Sequence, residues 1–160
     1  MRTAKIEVRD FLYDPLLLKS WRDGFLPREW QRKYSHIFDK DDLRIALSQP
    51  AYHFGEWIAA IAYAGKGYRV LVEKYLYKNH GRKIKIISQF FNPAQISFLK
   101  YPSPRHQPPD LFVYKGKRFF FVEVKRDGDR LKKSQARCFR GIEKELVCEV
   151  KVLHIKAQKS

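Results

Sequence analysis

The chain has 160 residues, with 33 Lys and Arg against 17 Asp and Glu, a formal charge of +16, 44% hydrophobic and 15% aromatic content. That length suits one domain with a genuine core, and that apolar content excludes a mainly disordered chain. The longest uninterrupted apolar run, Trp57 to Ala64, is far short of the ~20 residues that span a bilayer. Glu7 and Asp10 interrupt any leader-like opening. The two cysteines, Cys138 and Cys148, have no metal-binding spacing and suit a reduced compartment, so a soluble cytoplasmic protein is expected. The charge is unevenly spread: residues 1–50 hold 10 basic and 8 acidic residues, residues 51–160 hold 23 and 9. An excess of +14 on the second segment points to a polyanionic partner, with nucleic acid favoured over an acidic membrane.

In chain order, residues 1–20 begin with a short alternating run, Ile6-Glu7-Val8, followed by Phe11 to Pro15 and the apolar Leu16-Leu17-Leu18. Helices are expected over 27–36, where Pro27 suits a first turn, and over 40–48, where Lys40-Asp41-Asp42 precede Leu43, Ile45, Ala46 and Leu47. Residues 1–50 thus read as an accessory, mainly helical segment, and residues 51–160 as the core. Trp21, Phe25, Trp30, Tyr34 and Phe38 pack that segment, with base stacking or dimerisation as alternatives. Residues 51–65 form a helix with Phe54, Trp57, Ile58, Ile61 and Ala62 on its core stripe. Glu56 stands beside that stripe among Gly55, Ala59 and Ala60, small neighbours that permit close approach. His53, nearby, reads as structural.

Strands are expected over Tyr68–Tyr75, Ile84–Phe91 and Gln95–Leu99, with a basic turn at 78–83. The loop from Tyr101 to Pro109 contains four prolines together with Arg105 and His106. Proline limits its freedom, which suits it to holding DNA contacts ahead of Asp110. His80 and His106 have no spacing that demands a role as base. A hairpin follows, Asp110 to Lys125, turning at Lys115-Gly116 so that Asp110 faces Phe121. Strand period puts Asp110, Phe121, Glu123 and Lys125 on one face, and Leu111, Val113, Phe120, Val122 and Val124 on the other. Asp127-Gly128-Asp129 then turns and caps a helix over 130–145, with Leu131, Gln135, Cys138, Phe139 and Ile142 inward. Lys132, Lys133, Arg137 and Lys144 face outward as a phosphate-tracking stripe. Gln135, polar on an inward stripe, needs a hydrogen-bond partner. Val147–Ile155 is the last strand.

Two carboxylates and an ammonium on one face of an apolar hairpin are costly unless compensated. A hard cation between Asp110 and Glu123 compensates them, and oxygen ligands favour Mg²⁺ or Mn²⁺ over zinc. Lys125 beside it can position an attacking water or stabilise a phosphoryl transition state. An edge hairpin with a satisfied ion pair is the structural alternative.

The pattern Pro109-Asp110, a run of residues, then Glu123-Val124-Lys125 resembles the PD-(D/E)xK nuclease superfamily. The continuation through Asp129-Arg130-Leu131, Gln135 and Val150–Ile155 resembles its VRR-NUC branch, which includes the Fanconi-anaemia-associated nuclease and stand-alone phage and bacterial proteins. The likeness covers residues 105–157 well, 51–75 loosely and 1–50 not at all. Arg126 stands where the family usually has Gly, and Gln107-Pro108 precede Pro109-Asp110 where it often has Gly-Leu. The resemblance implies an α/β (α+β) restriction-endonuclease-like core, a mixed central sheet flanked by helices. It implies Glu56, Asp110, Glu123 and the Val124 carbonyl as metal ligands, and Asp110, Glu123, Lys125 and Gln135 as the catalytic set. Arg105, Arg126, Arg130, Lys132, Lys133 and Arg137 then fall to DNA binding. The expected activity is Mg²⁺- or Mn²⁺-dependent endonucleolytic cleavage of DNA, branched by analogy with junction resolvases, by a homodimer of nucleoid-associated or phage-encoded type. Flap- or restriction-type cutting, RNA cleavage and a non-catalytic nucleic-acid-binding module are the alternatives.

Overall fold

In the computed structural model, the chain is described over residues 7–72, 75–76, 81–101 and 107–159. It opens with strand β1 (Glu7–Tyr13) and three short helices, α1 (Pro15–Arg22), α2 (Phe25–Lys33) and α3 (Lys40–Ser48). Local chemistry starts each helix. Asp14 accepts from the Leu16 amide, Gly24 supplies a left-handed turn at φ 82, and Asp39 and Asp42 form a reciprocal capping box. Helix α4 (Phe54–Gly65) and strand β2 (Arg69–Val72) follow, then α5 (Gly81–Ile87) and α6 (Pro93–Lys100). The hairpin is β3 (Leu111–Lys115) and β4 (Arg118–Arg126), and the chain closes with α7 (Lys133–Leu146) and β5 (Val150–Ala157).

Sheet order is β1-β5-β4-β3-β2. The pairs β1/β5 and β5/β4 are parallel, while β4/β3 and β3/β2 are antiparallel. This is the expected mixed sheet flanked by helices, an α/β fold consistent with a restriction-endonuclease-like core. On one face, α1–α4 pack against Val70, Val72, Leu111, Val113, Phe120, Val122, Leu153 and Ile155. On the other, α5–α7 cover Leu71, Phe112, Phe121 and Val150. No helix among the described residues is long and apolar enough to cross a membrane.

The first fifty residues contribute to this architecture twice. β1 adds an edge strand beside β5, and the aromatics of α1–α3 close over α4. Phe38 stacks on Trp57 at 3.7 Å, and Trp21 meets Phe54 and Trp57 edge-on at 5.8 and 5.1 Å. Trp21 and Phe38 are therefore packing residues; Phe25, by contrast, is exposed. A buried ion pair adds a second tie. Lys83 of α5 is 0% exposed, and its ammonium donates to Asp42 Oδ1 of α3 at 2.5 Å and to the carbonyl of Val72, the last residue of β2. Burial pushes the Asp42 carboxyl up to about 6, against the pull of Lys83, and pushes the Lys83 ammonium down.

Several sequence expectations are corrected. Residues 84–91 are not a strand: they run from α5 into a turn, and Ile87 and Phe91 join the core at helical spacing. Residues 95–99 belong to α6, whose start was legible in Asn92-Pro93-Ala94-Gln95, a capping box with proline in the first turn. β-branched and aromatic residues suggested strands there because propensity alone does not report packing. The hairpin turns at Gly116-Lys117, with φ 60 at Gly116, so Leu111 pairs with Val122 and Phe112 with Phe121. The register therefore moves by two residues along β4, which preserves every facing predicted from the alternation. Asp127-Gly128-Asp129 turns but does not cap α7; Lys132 holds that position without a side-chain bond. The expected basic turn at 78–83 lies outside the described residues up to position 80, as do His80, Arg105 and His106.

Candidate active site

Pairing between β3 and β4 ends at Leu111–Val122, because the buried Pro109 precedes Asp110 and the chain leaves the sheet there. The next backbone amide facing β3, that of Val124, is thereby left without a strand partner. The Asp110 carboxylate takes it, with Val124 N donating to Oδ2 at 2.8 Å. In return the Asp110 amide donates to Glu123 Oε1 at 3.3 Å. In an extended strand the N–H and C=O of one residue point to the same side, so the Val124 carbonyl also faces this corner.

Glu123 is 6% exposed and bonded on both oxygens. The Gln135 amide, on the first turn of α7 and 7% exposed, donates to Oε2 at 2.6 Å. The Lys125 ammonium stands 3.4 Å from the same oxygen. The partner that Gln135 needed is thus a carboxylate of the hairpin. From the other layer, α4 packs against β2, β3, β4 and β5. A Cβ added to Gly55 would come within 3.3 Å of Val124 Cγ1, a tight contact to which the valine methyl would have to yield by a few tenths of an ångström. The next residue is Glu56, and Glu123 acts on its charge directly.

The electrostatics are those of crowded carboxylates, one buried and two partly so. Burial first, then Glu123, pushes the Glu56 carboxyl to about 8. Asp110 is raised well above the usual carboxylate range by burial and by Glu56 and Glu123, against the pull of the Val124 amide. The same negative field reaches neighbours. Burial and Glu123 push the Cys138 thiol to about 11, and Tyr75 is raised by burial, Asp110 and Glu123.

No group of three or more His, Cys, Asp or Glu among the described residues forms a ready-made metal cage. The donor types nevertheless suit a hard divalent cation: the Asp110 amide is bonded to Glu123, Glu56 is near enough for its charge to act on Asp110, and Glu56 and Asp110 hold protons unusually tightly, first through burial and then through nearby like charge. A cation relieves that conflict.

A comparison with protein families matches residues 55–157 to the VRR-NUC domain. The chain belongs to the VRR-NUC family. Membership implies a nuclease, with DNA as substrate and a divalent metal. The match takes in α4 from its second residue and every later element through β5, so Glu56, Asp110, Glu123, Lys125 and Gln135 all lie inside the VRR-NUC segment. No curated protein matches the chain.

Of the residues expected to bind DNA, Arg130, Lys132, Lys133 and Arg137 are exposed at the start of α7, the end that carries Gln135. Arg126 is half-buried and 3.5 Å from Asp127. Two supporting contacts had no sequence signal. The Tyr75 hydroxyl donates to the Pro109 carbonyl at 2.6 Å, anchoring the residue ahead of Asp110 from 34 positions away. The Tyr13 hydroxyl of β1 donates to Asp127 at 3.2 Å, holding the turn after Lys125 at its left-handed φ of 52.

Proposed function

We propose that this protein is a Mg²⁺- or Mn²⁺-dependent endonuclease that cuts branched DNA, with four-way junctions as the preferred substrate and a homodimer as the working unit. The observation that carries the catalytic part is the meeting of Glu56, Asp110, Glu123, Lys125 and Gln135 in one corner. Two partly buried carboxylates pushed above their ordinary range are an expensive arrangement for a module that only binds phosphate, since they repel it. The branched substrate rests on the resemblance to stand-alone junction-resolvase-like relatives, and symmetric cutting of two strands in turn calls for paired subunits.

Glu56, Asp110 and Glu123, with the Val124 carbonyl, would hold one or two divalent ions. When bound, the ion acidifies water and offsets charge on the phosphate. The Lys125 ammonium orients the attacking water and donates to a non-bridging phosphate oxygen as charge builds there. Gln135 keeps Glu123 in its rotamer, and Tyr75 fixes the backbone before Asp110, so the ligand atoms need little rearrangement. The exposed cations Arg130, Lys132, Lys133 and Arg137, with Arg105 and Arg126, engage the backbone on either side of the cut.

The test is cleavage of labelled four-way junction, flap and linear duplex in Mg²⁺ or Mn²⁺, wild type beside Lys125→Ala. Paired symmetric cuts in the junction are expected, with the rate falling about 10²- to 10³-fold in the variant while DNA binding persists. Cutting of flap or duplex instead discards the junction. Tight binding without a metal-dependent product on any DNA overturns the enzymatic reading.

A further inference from the structure

The start of α4 is held in an unusual way. His53 occupies the N-cap position at φ 73, the left-handed region that L residues rarely adopt, and its side chain makes no cap bond. Asn, Asp, Ser or Gly would serve the helix better at this position. The imidazole instead bridges two other side chains. Its Nε2 lies 2.6 Å from Gln49 Oε1, and its Nδ1 lies 3.0 Å from Glu56 Oε2. The ring is only 12% exposed. The turn that carries it is tied on both sides: the Tyr52 amide donates to the Gln49 carbonyl at 3.0 Å, and Trp21 Nε1 donates to the Tyr52 carbonyl at 3.3 Å. Backbone held in a sparsely populated region persists where the surroundings over-determine it, and it concentrates at functional sites.

We propose that His53 is a positioning residue, which with Gln49 behind it sets the orientation of the Glu56 carboxylate and thereby the affinity of the corner for a divalent cation. A carboxylate on a helix turn has several rotamers, and freezing one of them before the ion arrives removes an entropic cost from binding. The bond to Oε2 leaves Oε1 as the oxygen without that contact. The contact with Gln49 restrains the ring against rotation. The inference rests on Glu56 being a ligand, as in the function proposed above.

The experiment measures Mn²⁺ binding by calorimetry on the full-length protein in a Lys125→Ala background, which removes turnover from the readout. His53→Asn is the informative variant, because Asn tolerates left-handed backbone and loses only the bridge. It should weaken Mn²⁺ binding about 10- to 100-fold, with a smaller loss in Gln49→Ala. Combined with Glu56→Gln, His53→Asn should add no further loss. In the Lys125-containing protein, the metal concentration for half-maximal cutting should rise while the rate at saturating metal changes little. Unchanged affinity in both His53→Asn and Gln49→Ala overturns the proposal and leaves the nuclease reading intact. A loss that persists in full on top of Glu56→Gln also overturns it, because the effect then does not pass through Glu56. If no form of the protein binds Mn²⁺ or cuts DNA, both readings fall. Should His53→Asn fail to fold, Gln49→Ala alone decides, since Gln49 is exposed and outside α4.

Discussion

Replacing Glu56 by Gln isolates the charge conflict at the active corner. In the metal-free fold burial and Glu123 push the Glu56 carboxyl from its ordinary 4.5 to about 8. A carboxyl with a raised folded pKa supports folding fully below the unfolded value, and that support is lost as the pH rises through the folded one. For Glu56 the window runs from 4.5 to about 8. At about 1.4 kcal/mol per unit, the rise to pH 7 withholds about 3 kcal/mol from the wild type. With the side chain 20% exposed, solvent screening trims this to about 2 kcal/mol. Gln has nearly the same shape, cannot ionise and can still meet His53. Glu56→Gln should therefore be more stable than wild type at neutral pH in chelator, with the gap closing as the pH falls towards 4.5. Asp110, which Glu56 also pushes upward, relaxes in the same direction. Urea unfolding across that range measures the gap directly. Adding Mg²⁺ should narrow it, because only the intact carboxylate set gains from the ion. A gap that does not vary with pH, or a wild type that is the more stable form at pH 7 without metal, refutes the reasoning.

Other perturbations test the rest of the structure. Gln135→Leu removes the donor 2.6 Å from Glu123, and single-turnover cleavage should fall about 10- to 100-fold; an unchanged rate would reduce Gln135 to packing. Lys83→Met strands the buried Asp42 carboxylate and should cost about 3–5 kcal/mol in urea, most of it recovered by adding Asp42→Asn, which keeps the helix cap. A loss under about 1 kcal/mol would show the pair to be dispensable. Deleting residues 1–50 strips Phe38 and Trp21 from Trp57 and β1 from β5. The remainder should lose its cooperative unfolding transition, and a sharp transition in the fragment would show that the second segment folds alone.

The amino-acid sequence by itself determined the hairpin and which of its side chains share a face. Alternation along 110–125 placed Asp110, Glu123 and Lys125 on a common face even with the turn misplaced, because a two-residue slip leaves every side chain on the same side of a sheet. It likewise determined α3, α4 and α7, where capping or helical period is local. Tertiary structure decided what no local period encodes. Ile84–Phe91 became helix and turn because core contacts overrode β propensity. Gln135 found Glu123 across 12 residues, Tyr75 found Pro109 across 34, and Lys83 found Asp42 across 41. These pairings stitch together α3, α5, α7 and the hairpin. Each depends on burial and on which layers face one another, quantities that exist only once the sheet has assembled and its helices have closed over both faces.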